Sequence, residues 1–191
     1  MKSYLRTGTV PGTVLSADHL GGVTGADFIE KIFFVSDGIM LSQIREITGI
    51  DGTTLQNWVK RGWVSNPTKK TYSREQLARI ILINMMRDTL QLSRIVWLLG
   101  YMDCGDAISE CELYDSVCRV LDAVSGANAG RMNGLDDVIV DVLSGYTDLS
   151  TEQKSRILTG VRIIVVSYYG VTMKATAEYM LSAIDPEATE E

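Results

Sequence analysis

Histidine is almost missing: His19 is the only one in 191 residues. A general base needs a held position and an orienting partner; the surroundings of His19 offer neither, so it reads as an incidental surface residue. No G-x-x-x-x-G-K-[ST], G-x-S-x-G or H-E-x-x-H pattern occurs. The phosphate loop, the serine-hydrolase elbow and the zinc-protease helix are therefore out of consideration. No run approaches the roughly 18 apolar residues of a membrane span, since the most apolar stretches, 80–86 and 161–166, are short and interrupted. The opening MKSYLRTGTVPGTVLSADHLGG has no apolar core of signal-peptide length, so no export is expected. Only three cysteines are present, and without a secretory signal their thiols are expected to stay reduced in a cytoplasm. Strand-period runs are absent except near 63–72, and no internal repeat appears. These absences leave an all-α fold, mainly helical with one small β-hairpin wing.

What is present is an ordinary globular composition, 46% hydrophobic and 22% charged, in a length suited to one good-sized domain or two small ones. Charge is distributed unevenly. Residues 41–79, LSQIREITGIDGTTLQNWVKRGWVSNPTKKTYSREQLAR, hold seven Lys and Arg against three Asp and Glu, a net of +4. The whole chain is −6, so everything outside this stretch amounts to −10. Acidity elsewhere does not cancel a local basic footprint, because salt screens charges beyond about 8 Å.

Four parts are expected. Residues 1–25, rich in Gly, Thr and Ser, read as an extended or mobile arm. Residues 26–102 form a unit of short helices: one over 26–36, two joined by a Thr-Gly turn, a basic hairpin, a helix opening at Ser73, and another over 92–101. Ser73 with Gln76, and Ser150 with Gln153, each fit a capping box. Residues 103–185 form an acidic all-α domain for dimerisation or effector sensing. It has one helix within 103–125, another over 135–145, a flexible connection at 126–134, a long helix from Ser150 through about Tyr169 that Gly170 interrupts, and a last amphipathic helix to about Ile184. Residues 186–191 are a disordered acidic tail.

The helix opened by Asp51 carries the recognition chemistry. Asp is a good N-cap, and Gly62 is the expected left-handed stop. At 100° per residue Leu55, Trp58 and Val59 turn toward Leu41, Ile44 and Ile47. That leaves Thr53, Thr54, Gln56, Asn57, Lys60 and Arg61 outward. Gln and Asn bond adenine bidentately, Arg bonds guanine, and hydroxyls and Lys bond phosphate. Lys69 and Lys70 sit at a hairpin tip, placed to grip the backbone. Each residue alone is no more than a solvated polar side chain, and only the ordered set points to DNA.

Thr48-Gly49-Ile50, Thr54-Leu55, Trp58, Gly62, Tyr72-Ser73, Leu77, Leu92-Ser93 and Leu98-Leu99-Gly100 together resemble the winged helix-turn-helix of MerR-type regulators and their excisionase-like relatives. The LQNWVKRG core with YSREQLARI and LIN more closely resembles an uncharacterised bacterial domain-of-unknown-function family, found mainly in Gram-positive species. That likeness implies a regulatory role and extends over much of the chain beyond residue 26, with motif-grade signal at 41–102. Departures matter. Gln56-Asn57 stand where MerR proteins usually carry Arg-Tyr, the wing is short, and the helix after Gly100 lacks a sustained heptad run. The MerR coiled coil, metal site and promoter twisting are therefore not carried over.

The remaining signals point to structure. Cys104, Cys111 and Cys118 recur every seven residues; on a helix that spacing rises about 10.5 Å, too far for a disulfide, and reads as a buried stripe. Asp136, Asp137 and Asp141 form the one carboxylate cluster, with no second cluster to complete a cation site. Tyr146, Tyr168, Tyr169, Met173, Tyr179 and Met180 read as core or dimer interface, or as the lining of an effector pocket. The expectation is a cytoplasmic, non-enzymatic, cofactor-free transcriptional regulator that binds double-stranded DNA as a homodimer, answers to a small-molecule effector, and has no membrane role. The alternative is a non-catalytic interaction module that keeps the fold without DNA binding. A helical enzyme using the 136–141 carboxylates stands third.

Overall fold

The computed structural model describes residues 8–126 and 134–184. Among them are eight α-helices and one two-stranded antiparallel sheet, so the expected mainly helical class with a single small hairpin is found. In order they are α1 Gly25–Phe33, β1 Ile39–Met40, α2 Leu41–Thr48, α3 Gly52–Lys60, β2 Thr71–Tyr72, α4 Arg74–Met86, α5 Leu92–Met102, α6 Glu110–Gly126, α7 Leu135–Ser144 and α8 Thr151–Ser182. Both capping boxes form. Ser73 accepts from the Gln76 N–H (3.3 Å) while Gln76 accepts from the Ser73 N–H (2.8 Å), and Ser150 and Gln153 repeat the pattern at α8.

α4 is the keel. Leu77, Ala78, Ile80, Ile81, Leu82, Ile83, Met85 and Met86 are all buried, an apolar distribution all round the helix that requires neighbours on every side. α1, α2, α5, α6 and α8 supply them. One continuous hydrophobic core runs from Val10 to Val165. The expected division at residue 102 therefore marks no break in the core: α6 and α8 pack on the same α4 that α1, α2 and α5 pack on.

The expected mobile arm is corrected over residues 8–25. Val10 is fully buried; the Tyr114 hydroxyl donates to the Pro11 carbonyl (2.9 Å) and the Asn84 amide to the Gly12 carbonyl (2.9 Å). Val14 N–H donates to Ile47 O (3.0 Å). Gly12 permits this approach. Its φ is +75°, and a Cβ there would sit 2.7 Å from Ile81 Cγ2. His19 is exposed, in a short 3-10 helix. The connection at 126–134 lies outside the described residues except for its ends, Gly126 and Gly134, and the tail 186–191 lies wholly outside them.

Two further expectations change. α8 runs unbroken through Gly170, because one helical Gly costs only about 1 kcal/mol and buried residues flank it, Ser167 before and Thr172 after. The one helix expected within 103–125 is α6, but it begins only at Glu110, so Cys104 precedes it and the seven-residue cysteine stripe does not exist. Cys118 is buried, which pushes its thiol up to about 12, while Cys104 and Cys111 are half-buried. α8 is also long and apolar enough to cross a membrane by length and composition, with a mean hydropathy of 1.2 over 18 residues. Its first two-thirds nevertheless pack against α4, α5, α6 and α7.

Candidate nucleic-acid interface

Local chemistry sets the turn between α2 and α3. Thr48 Oγ1 donates to Ile44 O (2.7 Å) and accepts from the Ile50 N–H (3.3 Å). Gly49 then takes a left-handed φ of 70° that ends α2. Asp51 caps α3 by accepting from both the Thr54 N–H (2.9 Å) and the Thr54 hydroxyl (2.6 Å). Those bonds, the hydroxyl first, hold its carboxyl below the ordinary carboxylate value.

α3 buries Leu55 and Trp58 beside Ile44 and Ile47, and half-buries Val59. Thr53, Gln56, Asn57, Lys60 and Arg61 are exposed on its other side. Thr54 is the correction: half-buried and bonded to Asp51, its hydroxyl serves the cap. Arg61 lies with its guanidinium carbon 5.1 Å from the centre of the Trp63 ring, a cation–π contact that steadies it next to the helix end.

The loop after α3 is tied down from α4. Gln76 Nε2 donates to the Ser65 and Asn66 carbonyls (2.7 and 3.2 Å). Arg79 Nε donates to the Trp63 carbonyl (2.6 Å), and its other end pairs with Glu110 of α6. Arg79 belongs to the basic stretch by count, but this pairing removes it from the free cations. Nothing in the sequence signals a partner 31 positions away. Burial, the larger influence, raises the Glu110 carboxyl, and Arg79 opposes it.

The hairpin expected over 63–72 narrows to a two-residue turn. Thr68 and Thr71 exchange both backbone hydrogen bonds at 2.9 Å, and Lys69 and Lys70 form the exposed tip. The strand partner of β2 is β1, ahead of α2, with Ile39 opposite Tyr72 and Met40 opposite Thr71. Lys69 and Lys70 have φ of 51° and 67°, and they are the only non-glycine residues with positive φ among those described. A tight turn with both central residues at positive φ favours Asn-Gly, and a side chain there costs about 1–2 kcal/mol per residue. Two lysines held against that preference are the kind of strain that clusters at functional sites. The sequence reading missed Arg45 of α2 and Arg74 at the start of α4 as individual residues. Both are exposed cations of the same unit, and their outward helical positions were the available signal.

Residues 30–117 match a family model described as Domain of unknown function (DUF1836). The match takes in α2, α3 and the Lys69-Lys70 turn, and just under half of the chain. It does not stop at Gly100: the DUF1836 segment continues into α6 as far as Val117, and so includes the Arg79–Glu110 tie. No curated protein and no solved structure matches the chain.

Of the residues expected at an effector pocket, Tyr168 and Tyr169 line a cleft of about 290 Å³ with Pro11, Asp18 and Asp122. Tyr146 instead packs by its hydroxyl against Ser116 (3.0 Å), and Met173, Tyr179 and Met180 are exposed. A larger cavity of about 420 Å³ lies between α4, α5 and α6, lined by Glu75, Leu99, Met102, Asp103, Ile108 and Glu110. Asp136 pairs with Arg162 at 2.5 Å, and Asp137 and Asp141 are exposed.

Proposed function

We propose that the chain is a sequence-specific DNA-binding transcriptional regulator that reads the major groove with α3 and grips the backbone with the Lys69-Lys70 turn. The observation that carries this reading is the pairing of α3's outward Gln56, Asn57, Lys60 and Arg61 with a strained dilysine turn on the same unit. An amide pair and a guanidinium supply base contacts, while ammonium groups supply phosphate contacts. The helix bearing them is fixed to the core by Leu55 and Trp58, so the base-reading groups are ordered before DNA arrives. The likeness to MerR-type winged helix-turn-helix regulators of mainly Gram-positive bacteria belongs to this proposal, as do a cytoplasmic setting, a small-molecule effector and the absence of catalysis. Two copies related by a two-fold axis would read half-sites about one helical turn apart.

Selection from a random duplex pool, followed by binding measured across a salt series, tests the reading. Lys60→Gln should weaken binding to every sequence and lower the salt slope by about one unit, whereas Asn57→Ala should change sequence preference. If no sequence is enriched and Lys60→Gln leaves affinity untouched, the regulator reading fails. The alternative, a non-catalytic interaction module on the same fold, is favoured by Gln56 standing where MerR-type regulators carry Arg. It predicts that no duplex is selected.

A further inference from the structure

α8 is apolar on two opposite faces; the fold covers one and touches the other only at Gly170, where a Cβ would sit 3.3 Å from Thr89 Cγ2. Ile157, Gly160, Val161, Ile164 and Val165 turn into the core. Half a turn of the helix away, Val166, Gly170, Met173, Ala177, Met180 and Ile184 follow one another alternately four and three residues apart, and all six are exposed. That spacing is the seam of a coiled coil. Exposure along it rises toward the end, from 48% at Val166 through 58% at Met173 and 61% at Met180 to 82% at Ile184 just past the helix. No residue of α8 beyond Thr172 is buried, so its last turns stand clear of the body. Between positions 163 and 184 the only charges are Lys174 and Glu178, which pair with each other at 3.7 Å. Nothing charged therefore interrupts the stripe, and an uninterrupted exposed apolar stripe marks an interaction surface.

We propose that this stripe pairs with the same stripe of a second copy, in antiparallel orientation about a two-fold axis beside residue 175. Side-chain size along the seam selects the partner. Antiparallel pairing about that point sets Met180 against Gly170 of the second copy and Met173 against its Ala177, with Val166 opposite Ile184 at each end. Large thus faces small in every central layer, and the symmetry supplies each pair twice, as an isologous contact requires. Parallel pairing in register sets Gly on Gly and Met on Met, alternating voids with crowding. The antiparallel arrangement also leaves the two folded bodies at opposite ends of the paired segment. The seam is not on the helix that follows the winged unit, and the inference does not rest on DNA reading. A stripe this narrow is below the roughly 800 Å² per partner of a standard interface, so the pairing is reversible.

Sedimentation of the full chain over a concentration series tests it. The mass should rise from 21.0 kDa toward twice that value. The double variant Met173→Lys/Met180→Lys should weaken association at least tenfold while leaving helicity unchanged, and thermal melting unchanged at concentrations where the parent is monomeric, because both side chains are exposed in the single chain. Mixing Met173→Cys with Ala177→Cys under oxidation should give a disulfide between the two variants and none from either variant alone. A constant monomer mass overturns the proposal, including the case in which the chain instead partitions onto phosphatidylglycerol vesicles through α8. Undiminished association of the double lysine variant overturns it too, as does self-cross-linking of Met173→Cys.

Discussion

Replacing Lys69-Lys70 by Asn-Gly should make the protein more stable and a poorer DNA binder. Both lysines have positive φ and are exposed, so the exchange removes strain without opening a cavity. The strain is about 1–2 kcal/mol per side chain, and Gly returns up to about 1 kcal/mol through its freer unfolded state. Asn still has a side chain and keeps part of the strain at position 69, so a net gain of about 1 kcal/mol remains, which for a chain of this size raises Tm by about 2–4 °C. On the DNA side, two lost phosphate contacts should lower the salt slope by about 1.8. Calorimetry gives the first quantity, and fluorescence anisotropy with a selected duplex across a salt series gives the second. Lys69→Gln/Lys70→Gln separates them, since it keeps the strained turn and should lower the slope without raising Tm. A fall in Tm for the Asn-Gly variant refutes the strain argument. A rise in Tm with an unchanged salt slope refutes the role of the lysines on DNA.

Other consequences follow from packing and charge. Arg79→Ala leaves Glu110 buried beside no cation and breaks the hold on the Trp63 carbonyl; with both side chains about a quarter exposed, a loss of about 2 kcal/mol in urea unfolding is expected. Burial raises the Glu110 carboxyl above its ordinary 4.5, so the folded chain holds that proton more tightly than the unfolded one. The stability this site contributes is complete below pH 4.5 and is lost as pH rises through the raised value. Glu110→Gln should therefore lose no stability at pH 7 and should flatten the pH dependence of urea midpoints above pH 4.5. Gly12→Ala should cost about 2–4 kcal/mol from its left-handed φ and its contact with Ile81, where a free arm would show no change. A fragment of residues 38–102 should show no cooperative melt, since the face of α4 that meets α6 and α8 would be bare.

Residues 48–77 were legible because their signals are local. The Thr48-Gly49 turn, the Asp51 and Ser73 caps and the Gly62 stop each depend on neighbours within four residues, and each is found. The same locality explains the failures. Gly, Thr and Ser at positions 8–25 read as an arm because nothing in that segment declares that Tyr114 and Asn84 bond its carbonyls from far along the chain. Gly170 read as a break because propensity is weighed without the core that holds α8 straight. Thr54 counted as outward by angle alone, yet its hydroxyl was already taken by Asp51. β1 escaped notice because two residues are too few to show a period, and Arg79 counted as a free cation because its partner lies beyond the segment counted.

The position of α4 links these failures to function. Three polar side chains of α4 reach out to loops: Gln76 and Arg79 grip the loop after α3, and Asn84 grips two others. Gln76 holds the Ser65 and Asn66 carbonyls, Arg79 holds that of Trp63, and Asn84 bonds the carbonyls of Gly12 (2.9 Å) and Thr48 (3.0 Å) at once. The α2–α3 turn, the start of the wing loop and the N-terminal segment are therefore fastened to one rigid body, which also carries the contacts with α5, α6 and α8. α3 cannot shift relative to the rest of the chain without breaking at least one of these bonds, and a buried carbonyl left without its donor costs about 1–3 kcal/mol. The family match that runs on into α6 has the same physical content: α2 to α5 and the helix bearing Glu110 share one core. An effector that moves α6 or α8 would act on α3 through α4. The cavity between α4, α5 and α6 is lined by Glu110, whose partner Arg79 holds the Trp63 carbonyl, so a change there reaches the loop after α3 through a single ion pair.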